Sequence, residues 1–434
     1  MTIWIDVTDF KKWTGQLTGI QRVSHSLATG YSKDGEEVKF FTYSPEEGDF
    51  YQSELNPSLL QPRGPVSQTS NSASKKATLL NLLPPKLVSS IPAKPKKVLK
   101  HTLKRSYNLA LKSKQKAARK LSSNKSSGPR TLAEFDKNDI VIVPGNGWDN
   151  IYTARDLGRK KQTIGFKLVY VVYDLIPVLQ PHLFGGLLAS QYNEYMFEVL
   201  TNADFILPIS KSTQRDIKVY CDRYKIPQTK SEVIPLGNKI ESTEEHQPEW
   251  VDTNESFTIC VGTIEIRKNH LSLYYAYKEI LSRGETPPKL YIVGREGWYI
   301  SDLKMLLEQD PYINKLIQIK SNVTDSELAW LYKNCLFSVY PSVYEGWGLP
   351  VSESLARGTP VLSSNLSSMP EAGGEFAEYF SPYNTGQMAD LIIKNTKDTL
   401  SLSAKRKYIR KNFRQTSWEE SYKKINAIIK KNLL

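Results

Sequence analysis

Cysteine is scarce in this chain: Cys221, Cys260 and Cys335 are the only three in 434 residues, and they lie far apart. An odd, scattered set suggests neither a disulfide framework nor a thiolate metal site, and it fits a reducing compartment. No run of 18 or more apolar residues occurs, so no segment reads as a membrane-spanning helix. The start, Met1-Thr2-Ile3-Trp4-Ile5-Asp6, lacks the basic-then-apolar order of a secretory signal. Acidic residues are missing altogether from residues 61–130, which carry 17 Lys or Arg. That absence relocates the net charge of +13, because the rest of the chain holds 41 basic against 45 acidic residues. A nucleic-acid-binding protein using the 61–130 tract is therefore an alternative that fits poorly. The remainder is mildly acidic, and the tract interleaves no aromatic residue other than Tyr107.

What is present is an alternation of apolar strands and amphipathic helices. Thr2 to Val7 reads as a strand, and a loop with Gly15 and Gly19 leads to a helix from Ile20, which is how a doubly wound sheet begins. Residues 57–130, rich in Pro, Ser and Lys, interrupt the pattern as an insertion or linker. Within it, 97–121 carries apolar residues on one helical face. Strands are predicted at 140–143, 167–173 and 204–208, with helices at 191–201 and 213–224. Val233 to Gly237 reads as a last strand leaving the first domain, and 238–254 as a linker. The second half repeats the grammar, with strands at 257–262, 289–294, 316–319, 336–340 and 359–363 and helices between them. The expected fold is α/β, two Rossmann-like domains facing across a cleft, with a basic insertion in the first. The expected division is 1–240 with the insertion 57–130, then 241–410, then a terminal helix at 411–434 that crosses back to the first domain.

One segment carries the chemistry. Strand 336–340 runs through Pro341-Ser342-Val343-Tyr344 into Glu345-Gly346-Trp347-Gly348-Leu349-Pro350, and a helix then opens with Val351-Ser352-Glu353. A helix N-terminus after a parallel strand offers free N–H groups and a positive dipole end to a phosphate. Gly346 and Gly348 allow close backbone approach, and Pro350 suits the first helical turn. Two carboxylates bracket the pocket and are good acceptors for sugar hydroxyls. By themselves the glutamates are read more simply as a helix-start acid and a surface acid; the surrounding sequence changes that.

From Glu345 to Glu353 and on through Ser354-Leu355-Ala356-Arg357-Gly358-Thr359-Pro360-Val361 to Ser364-Asn365-Leu366-Ser367-Ser368-Met369-Pro370-Glu371, the chain resembles the retaining glycosyltransferases of family 4, which have the GT-B fold. Val261-Gly262-Thr263-Ile264-Glu265-Ile266-Arg267-Lys268-Asn269-His270 is similar to that family's basic phosphate-binding turn. Thr18-Gly19-Ile20-Gln21-Arg22-Val23 and Val172-Tyr173-Asp174-Leu175-Ile176-Pro177 resemble its acceptor domain. The resemblance implies that Glu345 meets the donor's sugar hydroxyls and Glu353 its ribose. It places Gly19, Gly346, Gly348 and Leu349 at the donor, and makes Arg267 and Lys268 neutralise the leaving diphosphate. Fixed cations there act most strongly in the transition state, as the leaving group gains charge. Glu345, Arg267, Lys268 and Asp174 form the expected catalytic set, and Tyr173 and Asp174 the acceptor side.

Two departures stand out: Thr263 occupies a position where many relatives have Arg, and Tyr173 one where many have His. The resemblance further implies front-side attack with retention and requires neither metal nor cofactor. Its bacterial mannosyl- and rhamnosyltransferase members suggest GDP-mannose as the favoured donor and a glycan or lipid-linked glycan acceptor in surface-polysaccharide synthesis. A nucleotide-sugar epimerase or phosphorylase on the same fold is the alternative enzyme. The expected setting is cytoplasmic and peripheral, with the insertion against the anionic inner face of the plasma membrane and no nucleic-acid partner.

Overall fold

The computed structural model describes residues 1–9, 19–54, 130–145, 147, 151–238 and 244–434. The predicted insertion 57–130, with its helix at 97–121, falls outside the described residues except for its last position. The described parts of 1–54 and 132–434 belong to one compact unit, which contains two six-stranded sheets.

The first sheet is built from β1 (Ile3–Asp6), β2 (Val38–Ser44), β3 (Asp49–Ser53), β4 (Ile140–Val143), β5 (Lys167–Val172) and β6 (Phe205–Pro208), in the order β3-β2-β1-β4-β5-β6. Every pairing is parallel except β2 with β3. That hairpin was not anticipated. It turns at Pro45-Glu46-Glu47-Gly48, where Gly48 takes φ +67 and donates to Ser44 O at 2.8 Å. Among the described residues, the helices against this sheet include α1 (Gly19–Lys33), α2 (Ile151–Ile164), α3 (Gly186–Asn202) and α4 (Lys211–Tyr224). The strands β1, β4 and β6 are buried along their whole length, as runs such as Ile-Val-Ile-Val require of a sheet covered on both faces.

The second sheet contains β7 (Phe257–Val261), β8 (Lys289–Val293), β9 (Ile317–Lys320), β10 (Ser338–Tyr340), β11 (Val361–Ser364) and β12 (Ala377–Phe380). All its pairings are parallel, and the order is β12-β11-β10-β7-β8-β9. The connecting helices include α5 (His270–Ser282), α6 (Ser301–Gln309), α7 (Asp325–Asn334), α8 (Leu349–Ala356), α9 (Thr385–Lys397) and α10 (Thr399–Asn412). Read from its third strand outward, each sheet has the order 3-2-1-4-5-6. The direction of winding therefore reverses between β1 and β4 in one sheet and between β7 and β10 in the other. Crevices at such reversals, beyond the carboxyl ends of the strands, are where doubly wound sheets hold ligands.

The predicted strand 233–237 does not form. Ile206 N donates to Lys230 O (3.0 Å), Glu232 N to Ile206 O (3.2 Å) and Ile234 N to Pro208 O (2.9 Å), so the segment follows the edge of β6. β6 itself ends at Pro208, and the pairing goes no further along it. The final helix, α11 (Trp418–Leu433), opens with a capping box of Ser417 and Glu420. It packs on the first sheet's side. Tyr422 OH donates to Asp34 Oδ2 at 2.6 Å, and Ser421 Oγ to Pro235 O at 2.6 Å. Two glycines make room for its rings: a Cβ on Gly30 would lie 2.3 Å from the Tyr422 ring, and one on Gly237 would lie 2.5 Å from the Trp418 ring.

Candidate active site

The β7–β10 reversal sets the site. The chain leaving β7 makes a short 3-10 turn, Ile266–Lys268, and Asn269 in the left-handed conformation then starts α5. The chain leaving β10 carries Tyr344-Glu345-Gly346-Trp347-Gly348 into α8. Because β7 and β10 are neighbours, Arg267 and Lys268 meet Glu345. Arg267 Nη1 donates to the Glu345 carboxylate and, at 2.7 Å, to Tyr344 O. Lys268 Nζ lies 2.5 Å from Glu345 Oε1, and Ser342 Oγ donates to the same oxygen at 2.9 Å. The Val343 amide also donates to Arg267 O at 3.0 Å, tying the two loops together.

Glu345 is 7% exposed. Burial alone would raise its pKa, but Arg267 and Lys268 reverse that and hold the carboxyl at about 2. Its backbone is fastened as well: Ser367 Oγ accepts from Glu345 N at 2.9 Å, and Ser368 Oγ donates to Glu345 O at 2.8 Å and to Trp347 O at 2.7 Å. The predicted Arg267-Lys268 pair is thus not a solvated helix start. Both side chains are largely buried in a cluster of opposite charge.

Asp174 approaches this cluster from the end of β5 in the other sheet. Burial pushes its carboxyl upward against the pull of Arg267, and Ile176 N donates to it at 3.0 Å. The structure therefore brings Glu345, Arg267, Lys268 and Asp174 together. Gly346 sits where a Cβ would come 2.4 Å from Tyr173 O and 3.2 Å from Asp174 Cβ, so glycine is needed for the two loops to meet. Gly348, at φ +118, is the cap residue of α8. Gly19 begins α1 directly opposite, where its own Cβ would lie 2.6 Å from Leu349 Cδ1. Two helix N-termini, of α1 and α8, thus converge at Gly19 and Leu349. Glu353, one turn into α8, is bonded by Arg22 Nη1 from one turn into α1 at 3.0 Å. Burial raises the Glu353 pKa against that pairing.

Tyr173 behaves differently from the expectation. Its hydroxyl donates to Pro144 O at 2.5 Å, and its ring is buried in the first sheet's core. The larger, amphipathic side chain finds a backbone acceptor inside its own domain, and only its carbonyl faces the Gly346 loop. His182 is exposed.

Several participants were not singled out in the sequence. Glu265, 3% exposed, pairs with Arg267 Nη2 and holds the guanidinium from the opposite side. An acid two residues before a buried arginine was the available signal. Arg22, Ser342, Ser367 and Ser368 gave none, because their partners lie far away in sequence. His270, at the start of α5, is 3% exposed with neither ring nitrogen hydrogen-bonded, and burial lowers its pKa to about 3, so it is neutral at physiological pH.

Residues 241–416 match the family model described as Glycosyl transferases group 1. The serotype-specific mannosyltransferase WbdA of Escherichia coli is 25% identical over 305 residues, covering 66% of this chain and 36% of that protein. The O-antigen chain mannosyltransferase B of Escherichia coli is 28% identical over 217 residues, covering 47% of this chain and 54% of that protein. The matched regions thus span about a third to a half of these relatives. Among solved structures, sucrose-phosphate synthase from Thermosynechococcus elongatus superposes with TM-score 0.60 at 17% identity, over 99% of this chain and 98% of that one. Anabaena HepE in complex with UDP superposes with TM-score 0.58 at 13% identity, over 99% of both. These likenesses establish the GT-B architecture.

Proposed function

We propose that this GT-B glycosyltransferase, which resembles surface-polysaccharide mannosyltransferases, transfers mannose from GDP-mannose, with retention, to a glycan or lipid-linked glycan acceptor in bacterial surface-polysaccharide synthesis. The observation that carries the reading is the joining of Glu345 to Arg267 and Lys268 beside the α8 N-terminus, with Asp174 facing them from the other sheet. A nucleotide-sugar needs those parts. The diphosphate takes the two cations and the converging N-termini of α1 and α8. Its arrival displaces Glu345 from the cations, and the freed carboxylate accepts sugar hydroxyls beside the developing positive charge. Glu353 serves the ribose, with Arg22 holding one of its oxygens. Asp174, whose carboxyl burial pushes upward against the pull of Arg267, hydrogen-bonds to the sugar or acceptor. The acceptor hydroxyl enters from the leaving-group face, and a diphosphate oxygen takes its proton.

The choice of mannose is supported by the two Escherichia coli relatives, both mannosyltransferases. The basic tract 61–130 supports a peripheral position on an anionic cytoplasmic leaflet, where each basic residue at the surface contributes about 1 kcal/mol. Thermal-shift titration against GDP, UDP and dTDP and their sugars tests the donor. Selective stabilisation by GDP and GDP-mannose is expected, and no response to any of them would end the reading. The anomeric configuration of the isolated product, read by NMR, tests retention.

A further inference from the structure

The first two turns of α4 are fastened to the donor-side loops at three points. Both oxygens of Glu371, which follows β11, accept from the α4 amides, Oε2 from Lys211 N and Oε1 from Ser212 N, each at 2.7 Å. Ser210 Oγ accepts from Thr213 N at 2.9 Å, so three of the helix's free N–H groups are satisfied, two of them from the other domain. Thr213 Oγ1 donates to Tyr173 O at 3.0 Å, with a longer contact to Gly346 O at 3.5 Å. One turn on, Asp216 accepts from Tyr344 OH through both oxygens at 2.8 Å. Asp216 is 9% exposed, so this is a shielded, charge-assisted bond. Tyr344 and Gly346 are the residues on either side of Glu345. The acceptor-side helix therefore holds the side chain just before the carboxylate and lies against the backbone just after it.

We infer that Asp216 and Thr213 are positioning residues that set Glu345 for transfer through Tyr344 and Gly346, so that the carboxylate reaches its working place only when the two domains are closed. This rests on the donor-site reading above. Neither residue is among those assigned above to the nucleotide part of the donor. Loosening them lowers turnover and leaves nucleotide affinity unchanged, which a residue that merely supports folding would not do.

The test uses the full chain with Tyr344→Phe, Asp216→Asn and the double variant. Without ligand, amide hydrogen exchange over residues 343–348 is expected to quicken in each variant while 257–261 stays as protected as before. With GDP-mannose, kcat is expected to fall roughly tenfold or more, the size of a lost buried bond to a charged partner, with the Kd for GDP within about twofold of wild type. The double variant should be no worse than the poorer single one, because Tyr344→Phe removes the bond and Asp216→Asn takes away the charge that strengthens the same bond. Unchanged exchange at 343–348, or losses that multiply, would overturn the inference. Thr213→Val, which removes a hydroxyl and keeps the shape, gives the same reading if Asp216→Asn folds poorly. Failure of the donor reading itself is told apart by Glu353→Ala: if that variant binds GDP normally the site is misassigned, whereas if it loses GDP and Tyr344→Phe keeps full turnover, only the positioning role falls.

Discussion

Replacing Glu345 by Gln keeps the shape of the side chain and removes its charge. The wild-type carboxyl is held at about 2 against an ordinary 4.5, so its ionic contacts with Arg267 and Lys268 contribute about 3 kcal/mol of stability above pH 4.5. A depressed carboxyl pKa gives stability that is lost as pH falls, so the advantage of wild type over Glu345→Gln should shrink from pH 4.5 towards pH 2 and be constant near neutrality. Turnover and binding should move in opposite senses. Transfer should drop by about a hundredfold to a thousandfold, as when a fixed group facing developing charge is removed. Nucleoside diphosphate should bind as tightly as before or tighter, because Arg267 and Lys268 no longer have to leave Glu345 to meet the phosphates. Chemical denaturation across pH, calorimetry with GDP and steady-state rates give the three readings. A parallel loss of GDP affinity and kcat would refute the idea that Glu345 and the diphosphate share the same cations.

Glu353→Ala should weaken GDP binding by roughly tenfold to a hundredfold, the value of one or two hydrogen bonds to a charged acceptor, as read by calorimetry. Tyr173→Phe should cost about 1–2 kcal/mol of stability by leaving Pro144 O without its donor, and should leave transfer rates near wild type. Gly30→Ala should cost about 1–3 kcal/mol, since the added methyl overlaps the Tyr422 ring; thermal unfolding would show it, and an unchanged Tm would contradict the packing of α11. The intact chain should pellet with anionic vesicles and be released by high salt, whereas a chain lacking 57–130 should stay in solution; equal pelleting would remove the insertion as the anchor.

Local patterning determined a large part of this protein. Apolar runs such as Ile140-Val-Ile-Val143 specify strands buried on both faces, and Thr324 with Glu327 announces the start of α7, because backbone and capping preferences act within a few residues. The Glu345–Glu353 segment was legible for the same reason: glycines, proline and acids at short spacing describe a strand-to-helix turn without further context. The hairpin β2–β3 was missed and the edge after Lys230 misread, since one depends on a single turn and the other on where the neighbouring strand β6 ends. Tertiary structure alone decided the rest. Sheet order makes β7 and β10 neighbours and so brings Arg267 to Glu345 across 78 positions of sequence. Closure of the two domains brings Arg22 to Glu353 and Asp216 to Tyr344. Packing within the first domain leaves the Tyr173 ring in a core where the sequence suggested a cleft. Charge pairing and burial act through space at a few ångströms, and a chain folded through two reversals of winding brings together residues whose spacing in sequence carries no trace of the contact.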